Sequence, residues 1–405
     1  MKSELDYLMA SRALDGLLVI GNAEHNPPMT YLTGGGHVSN AVLLKKRGYP
    51  AILFCNQMER EEAAKSGLEI VPLAVAPIRQ LLKDTAPEMF TRAGLTAGRV
   101  GVYGHADVSA VFLALSELQK SLPRLRFIGE GVDDNIFLRA METKDQSEVE
   151  RIRRAGRLTT EVVGLVANYL TSRDVRPDDE VLLDEAGASL TVSTVKSRIS
   201  LWLAERGLET PEGFIFAIGR DAGVPHSVGN PGDLLRLGQT IVFDIFPAEA
   251  GSGYFYDFTR TWSLGYATPE AQQLYDQVKA VYEKVCENLD LNVPFKDYQR
   301  LVCEEFEKNG HPTPLTNPAT VEGYVHSLGH GLGLNIHERP WSSLSSDESN
   351  RLRPGVVVTI EPGLYYPEKG MGVRIEDTYY VRPDGVMERL ADYPYDFVLP
   401  MKSNH

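Results

Sequence analysis

The sequence predicts a two-domain chain: an α/β domain over 1–135 and an α+β domain over 161–405, joined by a linker and first helix over 136–160. Three observations predict it. At 405 residues the chain exceeds what one typical hydrophobic core supports, given a prior of roughly 150 residues per domain. Its first third alternates strand-like runs with amphipathic segments, the rhythm of an α/β sheet. Its second half instead carries two long apolar runs, 240–262 and 356–381, each interrupted by a Gly-containing turn and separated by helical stretches.

In the first domain, strands are expected at 14–21, 41–46, 50–55 and 99–104, because each is a short aliphatic run bounded by turn-forming or charged residues. Helices are expected near 59–66, 75–84 and 107–120, where apolar residues recur at helical spacing. Such a sheet is mixed or parallel. His25, His37 and His105 are isolated here and read as surface or turn residues. The linker LRAMETKDQSEVERIRRAGRLTTEVV (138–163) places Thr143 and Gln146 at capping-box spacing, at the head of a charged amphipathic helix.

Beyond the linker, helical segments at about 176–188 and 191–207 precede a strand at 213–219, and a first strand hairpin at 240–262 follows. Helices at about 269–289 and 295–309, a His-rich segment and a second hairpin at 356–381 complete the pattern. Two helix-plus-hairpin halves suggest an internal duplication, with no residue-level repeat to support it.

A formal net charge of −14 repels phosphate backbones and anionic lipid, and no Lys/Arg-rich block offsets it, so nucleic acid is excluded as a partner class. Solubility alone accounts for the acidity. The first residues carry Glu4, Asp6 and Asp15 and lack a signal-peptide core, and no apolar run approaches the ~18 residues of a spanning helix. The expectation is a soluble, cytoplasmic protein with no membrane partner. Cys55, Cys286 and Cys303 are widely separated and lie in apolar or helical contexts, which fits buried thiols rather than disulfides or ligands.

The chemistry concentrates in the two hairpins. Asp244 interrupts TIVFDIF and Glu361 follows VVVTI, where an ionised side chain costs several kcal/mol to bury unless it is paired or bound to a cation. Something must neutralise them. Across each hairpin Asp244 can face Asp257, and Glu361 can face Glu376. Between the hairpins HSLGHGLGLNIHERP (326–340) adds His326, His330 and His337. Two divalent cations would balance the charge of these four carboxylates, with one neutral histidine completing the set. Oxygen-rich ligation suits Mn²⁺ or Co²⁺ better than the sulfur-rich sites of structural zinc. Two such ions ~3.5–4 Å apart can activate water and polarise a carbonyl, the logic of metal-assisted hydrolysis.

His330 is the best imidazole ligand, because Gly329, Gly331 and Gly333 let the backbone pack closely around it. His326 lies four residues earlier, but the glycines argue against a helix that would stack the two rings. On their strands Thr259 and Thr261 share the face of Asp257, while Arg374 and Thr378 share that of Glu376, so these side chains can orient the ligands. Thr261 reads rather as an ordinary strand former. Pro362 forces extended geometry at Glu361 and ends its strand there.

With these residues in view, the chain resembles the pita-bread metallopeptidases, in particular the proline-directed branch containing prolidase (Xaa-Pro dipeptidase) and aminopeptidase P. LDGLLVIG with MTYLTG (29–34) is similar to the creatinase/prolidase amino-terminal domain, and LRAMETKDQSEVERIRRA to its linker, so the resemblance spans nearly the whole chain. It implies a pita-bread (creatinase/aminopeptidase) fold for 161–405. It also implies that Asp244 ligates one metal, that His330 and Glu361 hold the second, and that Asp257 and Glu376 bridge the two. Manganese is the expected ion, with cobalt or zinc as alternatives. By the same resemblance His226 in GVPHSVG lines the substrate pocket, and His337 in the HE-x-P motif contacts the scissile peptide and assists proton transfer, with His326 nearby. Arg374 corresponds to the family arginine just before the last glutamate.

The implied reaction is attack by a metal-bridging hydroxide on the carbonyl preceding proline in a short peptide, carried out by a homodimer. Three departures stand out. Twelve residues separate Asp244 from Asp257, more than the usual family spacing, so the 247–253 turn should be longer. Phe214 falls where many prolidases have a tyrosine, and Trp341 stands where some have an arginine that grips the carboxylate of a dipeptide. Dipeptidase and aminopeptidase readings therefore both stay open. The alternatives are a pita-bread hydrolase of other specificity, methionine aminopeptidase-like or creatinase-like, and a non-catalytic binding protein on the same fold.

Overall fold

A computed structural model describes residues 1–74 and 78–402. The chain forms two compact units, Met1–Thr143 with Gly251–Gly253, and Lys144–Ala250 with Tyr254–His405. The first is built on a six-stranded mixed sheet in the order Glu69–Leu73, Ala51–Asn56, Ala41–Lys46, Gly16–Gly21, Gly98–His105, Leu125–Ile128. Gly16–Gly21 pairs antiparallel with Ala41–Lys46 and parallel with Gly98–His105. All four expected strands are among these.

The two outer strands escape the hydrophobic pattern for a physical reason. Glu69–Leu73 is largely open to water and contains Pro72, which an edge strand tolerates because that side of the ladder needs no donor. Leu18, Val42, Phe54 and Val100 pack with Phe90 and Leu118 from the helices Ile78–Arg92 and Val108–Ser121. Residues 75–77 of the helix expected at 75–84 lie outside the described residues; the helix Ile78–Arg92 covers the rest of that span and continues past it. Pro27–Thr33 is a further short helix, its two prolines sitting in the first turn, where a missing N–H costs nothing.

In the second unit the long helix Gln146–Thr171 is capped by Asp145, whose carboxylate accepts from the Ser147 and Glu148 amides while Glu148 returns to the Asp145 amide. The capping box therefore lies two residues beyond Thr143 and Gln146. Lys144 turns inward instead, its amide bonding the Gly355 carbonyl at 2.7 Å. The helix expected at 176–188 is likewise replaced by irregular chain, tied by bridges Val175 to Leu182, Leu183 to Ser189 and Val181 to Arg236. Pro177 and Gly187 break the helical run, and Arg176 folds back onto Asp179 at 2.8 Å to close a turn. The helices Val192–Ala204, Pro269–Glu287 and Phe295–Lys308 match expectation.

Two sheets carry the hairpins. One has the order Val398–Leu399, Phe258–Leu264, Thr240–Ile245, Ile215–Ile218; the other Glu338–Trp341, His330–Gly331, Val357–Ile360, Asp377–Val381, Met387–Arg389. A bridge from Thr259 to Glu376 joins them. Behind that bridge the buried Arg260 donates to the Glu376 carbonyl at 2.8 Å and to Asp377 at 2.9 Å, while Tyr282 and Tyr395 donate to the other Asp377 oxygen. Every charge in this layer thus has a partner. Val278, Val285, Val302 and Phe306 of the two later helices pack on Val358, Ile360, Leu364 and Ile375, so the second hairpin is held from its outer side.

The His-rich segment can lie in this sheet only because of its glycines. A Cβ on Gly331 would sit 1.9 Å from the Arg339 carbonyl oxygen, and one on Gly329 2.0 Å from that of Thr359. Gly331→Ala is therefore expected to destabilise the protein by about 1–3 kcal/mol in denaturant titrations. Gly232→Ala, whose nearest neighbour lies 3.8 Å away, should leave the midpoint nearly unchanged.

Candidate metal centre

The carboxylates stand where regular strand pairing ends. Asp244 is the penultimate residue of Thr240–Ile245, and Asp257 immediately precedes Phe258–Leu264. In the second hairpin Ile360 pairs with Asp377, and Gly363 with Arg374. That register sets Glu361 opposite Glu376 at the gap between two paired stretches, with Pro362 ending the first, as its position implies. In the first hairpin Asp244 instead lies opposite Thr259, so Asp244 and Asp257 do not face each other directly. Asp257 lies two residues before that register position, on the turn side.

His330 opens the short strand His330–Gly331. Its Nδ1 lies 3.0 Å from the Gly331 carbonyl, which directs Nε2 toward Glu361 at 3.3 Å and Asp257 at 3.7 Å. Asp257, His330 and Glu376 each bring one ligand atom within 4.8 Å of the others. Around them Thr259 donates its hydroxyl to Glu376 at 2.7 Å, and Thr359 donates to Glu361 at 3.3 Å. Expected helpers change partners. Arg374 reaches Asp244 rather than Glu376, Thr378 bonds the Asp257 carbonyl, and Thr259 serves Glu376 rather than Asp257. The two sheets are joined here by the backbone bridge from Thr259 to Glu376, so orientation comes from the neighbouring sheet and not along one hairpin.

Thr261 is more than a strand former: its hydroxyl donates to the Arg374 carbonyl at 2.8 Å and accepts from the Arg374 amide at 2.9 Å. Tyr365, overlooked in the sequence, accepts a hydrogen bond from Arg374 at 2.7 Å. Gln299 was also missed. It is a buried amide on an otherwise apolar helix face, accepting from the Leu328 amide at 2.5 Å and donating to the His326 carbonyl at 3.3 Å. A lone polar residue among Phe295, Tyr298, Val302 and Phe306 is the signal that could have revealed it.

The remaining histidines form a wall. His226 and His326 approach to 3.1 Å between Nε2 atoms, and His326 Nδ1 lies 2.9 Å from the Ser327 carbonyl and 3.3 Å from Glu361. Both neighbours of that Nδ1 are acceptors, so it carries the proton, and His326 Nε2 accepts from His226. The His337 ring lies 4.4 Å from that of His330. Among these four, His226 and His337 are the solvent-exposed ones. Phe214 is buried just before Ile215, the cross-strand partner of Asp244, and Trp341 pairs in register with His330.

Without cations this cluster is electrostatically divided. Burial, and then the charge of Asp244, push Asp257 well above the usual carboxylate range; burial and Asp257 do the same to Glu376. Burial works against ionisation of Glu361 too, yet His326 and the hydrogen bond from His330 hold it down at about 2. Burial likewise opposes a charge on His330, but Glu361 lifts it to about 9. The ring of His337 is desolvated where it meets His330, and that, followed by the His330 charge, lowers it to about 4.

Three carboxylate oxygens, one each on Asp244, Asp257 and Glu376, are buried with no hydrogen-bond partner among the described residues. Orphaned acceptors of this kind are costly, and a divalent cation is what this set of carboxylate oxygens and one imidazole nitrogen fits. The residues present therefore suit a metal centre.

Known proteins place this geometry in context. The chain is 28% identical over 361 residues to a Staphylococcus aureus (strain MW2) protein named as an uncharacterized peptidase, spanning 85% of this chain and 86% of that one. Its fold is similar to that of a Xaa-Pro dipeptidase from Bacillus anthracis, with a TM-score of 0.77, 21% identity and coverage of 98% of this chain and 99% of that chain. It is also similar to an X-Pro aminopeptidase from Thermotoga maritima MSB8, with a TM-score of 0.74, 21% identity and coverage of 95% and 97%. At such identities the structural likeness establishes the fold alone: a pita-bread domain preceded by a smaller amino-terminal one. Residues 150–383, which include every carboxylate and histidine of the cluster, match metallopeptidase family M24, and the chain belongs to that family of peptidases.

Proposed function

We propose that the protein hydrolyses the peptide bond preceding proline in short peptides, as an Xaa-Pro aminopeptidase or Xaa-Pro dipeptidase. Two divalent ions, manganese foremost, would be held by Asp244, Asp257, His330, Glu361 and Glu376, with Asp257 and Glu376 shared between them. The observation that carries this reading is the trio of buried carboxylate oxygens on Asp244, Asp257 and Glu376 with no hydrogen-bond partner among the described residues, two of these carboxylates being clustered with His330. Ions bound there supply an activated water and Lewis acidity toward the carbonyl.

The chain's own groups do the rest. Arg374, bonded to Asp244 and Tyr365, holds the Asp244 carboxylate in place by a charge-assisted hydrogen bond. His337 is neutral at pH 7, so it can donate an N–H to the scissile carbonyl oxygen without bringing a second positive charge beside His330. A departing proline nitrogen must receive a proton, and the His226 and His326 pair holds one on a hydrogen-bonded path open to solvent. Trp341 offers no charge to a dipeptide carboxylate, which favours substrates extended beyond proline.

Substrate choice is read with Mn²⁺-supplemented protein on Xaa-Pro dipeptides, Xaa-Pro-Yaa tripeptides and a methionyl peptide. Cleavage of tripeptides ahead of dipeptides is expected; cleavage of the methionyl peptide alone would reassign the enzyme. Asp257→Asn removes a shared charge and should lower kcat/KM by about 1000-fold or more. Its metal-free fold should melt no lower than the parent, because one source of repulsion has gone. The metal-free parent also has a signed pH dependence. Because the folded-state pKa values of Asp257, Glu376 and His330 are raised, their contribution is full at low pH and is lost as pH rises. His330 places that loss between its ordinary value of 6.5 and about 9, so the melting temperature of chelator-treated protein should fall across this window. Saturating Mn²⁺ should abolish the fall.

A further inference from the structure

We propose that Lys144 and Glu338 form a buried positioning pair whose task is to fix the loop that carries His337. The inference rests on the reading of His337 given above and names the residues that hold it in place. Lys144 Nζ donates to Glu338 Oε2 at 2.8 Å, with side chains 1% and 0% exposed. Neither charge reaches water. The other carboxylate oxygen, Oε1, accepts from the Asn335 amide at 3.0 Å and from its side-chain nitrogen at 3.2 Å. One carboxylate thus clamps both ends of the turn 335–338, and His337 is the residue inside that turn that stays exposed.

The turn has no slack on its inner side. A Cβ on Gly333 would meet Glu338 Oε2 at 2.7 Å and Lys144 Cε at 2.9 Å, and the Gly333 carbonyl is already held by the Phe255 amide at 2.8 Å. Lys144 is itself anchored through its amide to Gly355. A fully buried ion pair is a poor device for stability, since an apolar pair of similar volume serves as well. Its geometry is a good device for placement: two charge-assisted contacts with fixed directions hold a short turn whose exposed imidazole must stay 4.4 Å from His330. Neither residue reaches the reacting atoms, so both are positioning residues.

The test compares parent, Lys144→Met/Glu338→Gln, and Glu338→Asp in Mn²⁺-loaded form on an Xaa-Pro-Yaa tripeptide, with elemental analysis and melting curves on each. The double variant removes both charges together and leaves neither orphaned. Glu338→Asp keeps the charge for Lys144 but withdraws the carboxylate from Asn335, and it reads the same tether should the double variant not fold. Both are expected to bind as much manganese as the parent and to keep KM, while kcat falls by about 10- to 100-fold. In a His337→Ala background the same changes should cost nothing further, because the group they position is gone. A folded, metal-loaded variant with parental kcat would overturn the proposal. So would metal loss in step with kcat, or full additivity with His337→Ala. An inactive parent would instead sink the peptidase reading, leaving the two failures distinguishable.

Discussion

Four carboxylates buried together with one imidazole set the terms for the catalytic unit. Each sits within one residue of a strand end, and burial raises the cost of every unshared charge. Without metal, burial and mutual repulsion favour the protonated forms of Asp257 and Glu376, while Glu361 lies against His330. Divalent ions would replace those protons, which links metal affinity to pH and to folding. Behind Glu376, Arg260 and Asp377 neutralise each other, whereas one oxygen each of Asp244, Asp257 and Glu376 has no hydrogen-bond partner among the described residues.

The two hairpins are tied to each other by hydrogen bonds beside the carboxylates. Thr259 bonds Glu376 through its side chain and its backbone, and Thr261 and Arg374 exchange hydrogen bonds in both directions. Sliding one sheet past the other would break all of these together. His226, His326 and His337 belong to a different kind of element, irregular chain outside the strands. That contrast suits a site in which metal ligands must not move while His226 and His337 remain open to an arriving peptide.

Much of this was legible in the sequence because the costs are local. A carboxylate inside a β-branched run, or a histidine ringed by glycines, announces a constraint without reference to its partners. Strands with one buried face and helices with an apolar stripe were legible on the same ground. The segment 176–188 was not, because its helical periodicity competes with Pro177 and with a turn closed by Arg176 and Asp179. The helix cap was misplaced by two residues because the inward turn of Lys144 depends on Glu338, nearly two hundred positions away. For the same reason the partner exchange among Arg374, Thr259 and Thr378 could not be read from strand faces: it depends on how two sheets are juxtaposed, which single-strand alternation does not encode. Tyr365 and Gln299 act through contacts of that long-range kind.

The account rests on the claim that five side chains from separate elements jointly hold a pair of divalent cations. Crystals grown with Mn²⁺ and measured for anomalous scattering test it most directly. Two anomalous peaks enclosed by Asp244, Asp257, His330, Glu361 and Glu376, with the oxygens that now lack partners turned onto them, are the predicted result. A map with no peak there, or with manganese bound only elsewhere on the surface, would contradict it.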